Sequence, residues 1–357
     1  MFTKWRTVCG FVVGLFVPFA SMYVGDSIAI QAIYLENVMP GISTSQIGLL
    51  SSLLNFPSMI MTMVAAPFVD RLGPLVTGIF FNVWFLVMSI AMYFVWDKYT
   101  PLLVFRLLFG VMYEPSWLAQ LSVISTHLQK SMSLGFGLCI SISTSANLIG
   151  YFAIPQIMKG LDYGQDPDKY RDTLHFTFML NIIVSGAMLV VVTLGAIPLI
   201  SNEKIFVNKM RKLQAERKLQ QQNKSCWSKF KTYFTFKLDV WLNSVTLTTL
   251  LGSCFGGQTM MINYINANQG DQVAGVAGIV RSVVSVGGGL LSGVIVKYLG
   301  HRPALQLGSH LFACLSFGLL LALPDVPCYI PMAVIGFFDG CANTFTQSLF
   351  PDVCTPE

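Results

Sequence analysis

The chain carries 17 acidic and 22 basic side chains in 357 residues. Three of these charges, Glu114, Arg281 and Asp339, stand well inside long apolar stretches. Near the centre of a bilayer an ionised group costs ~3 kcal/mol on insertion scales, so each needs a reason to be there. One reading gives Glu114 a substrate amine or a proton to bind, with Asp339 as its counterpart. The other makes a structural ion pair with Arg281, the only deep cation. Two more charges lie nearer the ends of their stretches. Asp26 falls near the far end of the first, and Arg106 about five residues into the fourth, close enough to snorkel to the surface. Gln258, Asn263 and Tyr264 are polar residues at the end of the seventh stretch, suited to hydrogen-bonding a substrate or a neighbouring helix.

No constellation points to catalysis. The four His, at 127, 175, 301 and 310, are scattered, and none of the eight Cys forms a CxxC pair. Gly287, Gly288 and Gly289 follow no strand and precede no P-loop lysine, so they read as packing or bending glycines. The sequence predicts no enzyme, no catalytic residue, no metal and no cofactor.

The elements that must hold these charges are hydrophobic helices. Apolar residues make up 54% of the chain and charged residues 11%, against about 25% charged in a soluble domain. Ten stretches are long enough to span a bilayer at ~20 residues each: 7–31, 44–68, 75–96, 101–125, 133–158, 175–200, 237–262, 272–296, 304–323 and 328–351. The predicted fold class is therefore all-α, a polytopic membrane protein with the lipid bilayer as its solvent. Sixteen Lys and Arg fall on the side of the N-terminus and four on the other, which places the N-terminus in the cytosol. That bias accounts for the net charge of +5 as topology, so no nucleic-acid partner is expected.

The long polar run at 203–231 separates the first six stretches from the rest. It suits either a basic helix on an anionic membrane surface or a solvated linker. The predicted organisation is 1–200 as a six-helix half, 201–236 as a basic cytosolic loop, and 237–357 as the start of a second half. An internal repeat supports it. Val69-Asp70-Arg71-Leu72-Gly73 after helix 2 matches Val296-Lys297-Tyr298-Leu299-Gly300 after helix 8. Gly110, Glu114 and Gln120 in helix 4 match Gly336, Asp339 and Gln347 in helix 10. All these pairs are 225 to 227 residues apart. Repeated halves with a site between them are a transporter architecture.

The Asp70-Arg71-Leu72-Gly73 turn, its weaker copy and the basic central loop resemble the major facilitator superfamily. Several stretches resemble its lysosomal dipeptide transporter branch: Gly41 to Gln46, Asn55-Phe56-Pro57, Phe105 to Gly110, Glu114 with Ala119-Gln120, and Pro351 to Glu357. The resemblance implies a fold of two six-helix halves with helices 1, 4, 7 and 10 around a central cavity. It implies alternating-access transport of a small-molecule substrate, most simply facilitative export of dipeptides or related zwitterionic nutrients. It also implies gating by Asp70, Arg71 and Gly73, a lysosomal or other endomembrane setting, homodimerisation and a glycosylated lysosomal membrane protein as partner. The chain departs from the family in three ways. It ends after helix 10 of an expected twelve, helix 5 reads Ser141-Ile142-Ser143-Thr144-Ser145 with no basic residue, and no dileucine precedes helix 1. The rival readings are a carrier of organic anions or sugars, and a membrane scaffold or accessory protein that does not transport.

Overall fold

The computed structural model describes residues 2–39, 41–127, 132–200, 264–265, 268–269, 271–299, 302–322 and 326–354. Among these residues there is no strand, and twelve α-helices make up nine of the ten expected spans. The seventh span, 237–262, and the central run at 203–231 lie outside the described residues.

Three spans are broken, and proline explains where. A proline inside a helix lacks the N–H that would bond the carbonyl four residues back, and its ring crowds that carbonyl. Span 1 is α1 (Phe2–Phe16) and α2 (Phe19–Val38), interrupted at Val17 and Pro18. Span 2 is α3 (Thr44–Ser52) and α4 (Asn55–Leu72); Pro57 would have bonded Leu53, where the break falls. Span 4 is α6 (Tyr99–Gly110) and α7 (Tyr113–His127); Pro115 would have bonded Val111, again at the break. The remaining spans run through: α5 (Pro74–Phe94), α8 (Met132–Met158), α9 (Pro167–Ala196), α10 (Asp271–Leu299), α11 (Arg302–Ala322) and α12 (Tyr329–Cys354).

Backbone carbonyls freed inside a membrane need donors, and side chains on neighbouring spans supply them. Asn82 Nδ2 of α5 donates to Val17 O at 3.1 Å. Trp84 Nε1 of α5 donates to Leu108 O at 3.0 Å. Arg106 Nε of α6 donates to Leu50 O at 3.2 Å, just before the break in span 2.

Two expected boundaries move. Span 6 begins at Pro167 rather than 175, because Asp166 caps it by accepting from Lys169 N at 3.1 Å. Span 1 continues to Val38 rather than 31. This second shift matters, because it leaves Asp26 twelve residues short of the end of α2, about 18 Å at 1.5 Å per residue.

The first six spans share one core built on Tyr23, Phe81, Phe85, Phe109, Tyr113 and Phe178. Buried polar pairs pin span 1 within it. Ser27 donates to Asn181 at 2.8 Å, Gln31 to Thr177 at 3.0 Å, and Ser21 lies 3.1 Å from Ser116. Large apolar side chains such as Phe56, Phe80, Phe152, Leu194 and Leu315 face outward, as a lipid-facing surface requires.

The repeat appears as one contact made twice. A Cβ on Gly110 of span 4 would strike the carbonyl of Leu54 on span 2, and a Cβ on Gly336 of span 10 would strike the carbonyl of Arg281 on span 8. The two halves meet where spans 5 and 8 cross. There Gly137 lies against Gly289 and Gly293, and Ser141 Oγ donates to Val286 O at 2.8 Å. The triple glycine of α10 is thus divided between neighbours. Gly289 faces Ser141 of span 5, Gly288 faces the backbone of Phe337 on span 10, and Gly287 faces open space.

Candidate functional site

Four charges, Asp26, Arg106, Arg281 and Asp339, lie within electrostatic reach around Asp26, and Glu114 borders them through Tyr113. Arg106 is buried, at 1% exposure. Besides Leu50 O, its guanidinium donates to Val24 O at 3.2 Å and to Gly25 O, both on span 1. Its plane also lies 5.9 Å from the Phe109 ring centre. It therefore does not snorkel to the surface. Each carbonyl it takes is a hydrogen bond made by a charged donor, and together they bind spans 1, 2 and 4.

Glu114 lies in the first turn of α7, immediately after the break. Its side chain is half-buried, and among the described residues it has no hydrogen-bond or ion-pair partner. The break therefore puts a half-buried carboxylate, without a partner among the described residues, at the middle of span 4. Its neighbour Tyr113 is buried, with Oη 3.2 Å from Met22 Sδ. The Tyr113 ring packs over Gly25, where a Cβ would lie only 2.8 Å from the ring edge.

Arg281 and Asp339 form a direct ion pair, Nη2 to Oδ2 at 2.8 Å, with both residues buried. The structural pairing with Arg281 that the sequence left open is therefore made by Asp339. The repeat also slips by one residue here. Gly110 and Gly336 make the same contact and are 226 residues apart, so Asp339 stands where Tyr113 stands in the first half, and Glu114 corresponds to Gly340. One residue is 100° around a helix, which is why the two acids make different contacts.

Asp26, read from the sequence as an interfacial charge, is a member of this cluster. Its Oδ2 is buried and has no hydrogen-bond partner. It lies within the electrostatic reach of Arg281, Arg106 and Asp339, with Arg281 exerting the largest of these charge effects. Tyr113 is in turn within reach of both Asp26 and Glu114. The signal that would have found Asp26 is Pro18: a break early in span 1 means a longer span, and so a deeper Asp26.

The other expected residues sit elsewhere. Tyr264 is half-exposed, and its carbonyl accepts from Asn268 Nδ2 at 2.8 Å; Gln258 and Asn263 lie outside the described residues. Asp70 is half-buried and Arg71 exposed in the last turn of α4. Gly73 ends that helix at φ 94°, a conformation that favours glycine. Its carbonyl then accepts from Thr77 Oγ1 at 2.7 Å to start α5.

Two cations are already engaged, Arg106 by backbone and Arg281 by Asp339. Among the described residues, Glu114 has no direct partner, and Asp26 Oδ2 has no hydrogen bond.

Known proteins give the same architecture. The proton:xylose symporter XylE bound to 6-bromo-6-deoxy-D-glucose superposes with a TM-score of 0.69 at 11% identity, over 99% of this chain and 82% of that one. The partially occluded inward-open xylose transporter XylE from E. coli gives 0.61 at 13% identity, over 98% and 86%. At such identities the likeness is one of fold. No curated protein matches the sequence. The family model of the Major Facilitator Superfamily matches residues 6–357, and the chain therefore belongs to that superfamily of multi-pass membrane transporters for small molecules, which are not enzymes.

Proposed function

We propose that the chain carries dipeptides or related zwitterionic nutrients by alternating access, with Glu114 receiving the substrate's ammonium group. The observation that supports this most directly is the half-buried carboxylate of Glu114 at the break of span 4, which has no partner among the described residues. An ammonium group is its natural complement, because a charge-assisted hydrogen bond in a shielded site is stronger than a neutral one. The resemblance of Gly41 to Gln46, Phe105 to Gly110 and Ala119-Gln120 to the lysosomal dipeptide branch points to the same substrate class. It also suggests facilitative export from a lysosomal or other endomembrane, which organelle fractionation would check.

Uptake into proteoliposomes, normalised to folded protein, tests the reading. Glu114→Gln keeps the shape and removes the charge, and should weaken a free dipeptide by ~2–3 kcal/mol, or roughly 30- to 150-fold in affinity. An amine-blocked dipeptide should bind the wild type poorly and respond little to the change. Equal normalised uptake of free and blocked dipeptide by both proteins would falsify the ammonium role. D-xylose belongs in the same assay, since the solved relatives are named for it. Saturable xylose uptake without dipeptide uptake would favour the sugar reading.

A further inference from the structure

Arg106 and Arg281 both act on Asp26, but they differ in what can move. Arg106 belongs to the same half as Asp26 and is held by carbonyls of Val24, Gly25 and Leu50. Its field at Asp26 therefore stays constant when one half rocks against the other. Arg281 belongs to the second half and is held there by Asp339 at 2.8 Å. Its field at Asp26 must change with every rocking motion.

Packing beside the charges shows that the halves touch at this level. Ile279, two residues before Arg281, packs against a cluster of Ile30, Tyr151 and Ile154. Ile30 lies one turn beyond Asp26 on the same helix. The glycine contacts of spans 5 and 8 continue the same seam. Asp26 meets this seam with a buried Oδ2 that has no hydrogen-bond partner. A carboxylate in that position is costly unless a cation faces it.

We propose that Asp26 and Arg281 are the charge pair that holds the two halves together at mid-membrane. The pair engages as the halves close on this side and disengages as they part, while Asp339 accompanies Arg281 throughout. Asp26 is then a positioning residue for the transport cycle rather than a substrate ligand. The absence of a direct hydrogen bond suits the role. Breaking a buried, fully bonded bridge by removing one partner is strongly unfavourable, and such a bridge would arrest the cycle. A second acid on Arg281 keeps the cation from being stranded when Asp26 withdraws. This inference goes beyond the substrate reading and does not depend on it.

The test needs no substrate. The full chain carries Ile30→Cys and Ile279→Cys in a background with the native cysteines replaced, and the rate of disulfide formation across the seam is measured in membranes. Close charge pairs across protein interfaces couple strongly enough that Asp26→Asn should slow cross-linking about tenfold. Asp26→Glu and Arg281→Lys, which keep the charges, should stay near the parent rate. A parent-like rate for Asp26→Asn overturns the proposal. So does equal slowing by Asp26→Glu and Asp26→Asn, which would make shape the cause. Loss of folded protein in Asp26→Asn, seen by size exclusion, would make the carboxylate a static structural group and would also overturn it.

Discussion

Spans 2 and 4 of the first half and spans 8 and 10 of the second are built on one frame and finished differently. In both, a glycine at the same place lets one helix press on a carbonyl of the other, Gly110 on Leu54 and Gly336 on Arg281. In the first half the cation, Arg106, is spent on backbone, and Glu114 has no partner among the described residues. In the second half the cation, Arg281, is spent on the acid itself, Asp339, at 2.8 Å. The second half goes on to close up at Gly340, which lies against Ser285 O and Gly289 N; the first half has Glu114 at that place. The frame is therefore shared, and the chemistry lies in the departures from it.

The strongest way to break this comparison is to remove the cation that is spent on backbone. Arg106→Met is close in volume but leaves the carbonyls of Leu50, Val24 and Gly25 without this donor. We expect a loss of ~3–5 kcal/mol and little folded protein, from the buried polar groups left behind. Thermal unfolding in detergent followed by size exclusion measures it. Retention of folded protein would mean that the break in span 2 and the contact with span 1 are stable without Arg106.

The shared frame itself comes next. Gly110→Ala and Gly336→Ala each drive a Cβ into a carbonyl, and overpacking of this kind costs about 1–3 kcal/mol. The two should lower the unfolding temperature by similar amounts, and a large difference would show that the repeat is one of sequence alone.

The smallest effect sharpens the frame's edge. Gly287 faces open space while Gly288 meets Phe337 O. Gly287→Ala should be neutral or stabilising by up to ~1 kcal/mol through helix propensity. Gly288→Ala should destabilise. The same melting curves separate them.

Much of this was legible in the sequence because membrane helices write themselves in long apolar runs. Nine of the ten expected spans followed from length and polarity alone, the seventh lying outside the described residues, and Gly110 with Gly336 marked the repeat. What was hidden depended on helix breaks and on rotation. Reading span 1 only to residue 31 made Asp26 look interfacial, because α1 and α2 continue past Pro18 as one crossing to Val38. Arg106 looked able to snorkel, because a linear pattern does not show that carbonyls of spans 1 and 2 wait at its depth. Glu114 and Asp339 looked equivalent, because an offset of 225 differs from 226 by one residue, which on a helix is a different face. The partnership of Arg281 with Asp339 required knowing which face of span 10 meets span 8, and sequence spacing alone does not fix that.

The threefold grip of Arg106 has a consequence for how the chain is made. A helix that carries a bare guanidinium enters a bilayer at a cost of ~3 kcal/mol, yet the acceptors that relieve it, Val24, Gly25 and Leu50, all precede it in the chain. Because synthesis runs from the N-terminus, spans 1 and 2 leave the ribosome before Arg106 does. Every acceptor that relieves the guanidinium is therefore already synthesised when span 4 arrives, and none has to wait for a later span.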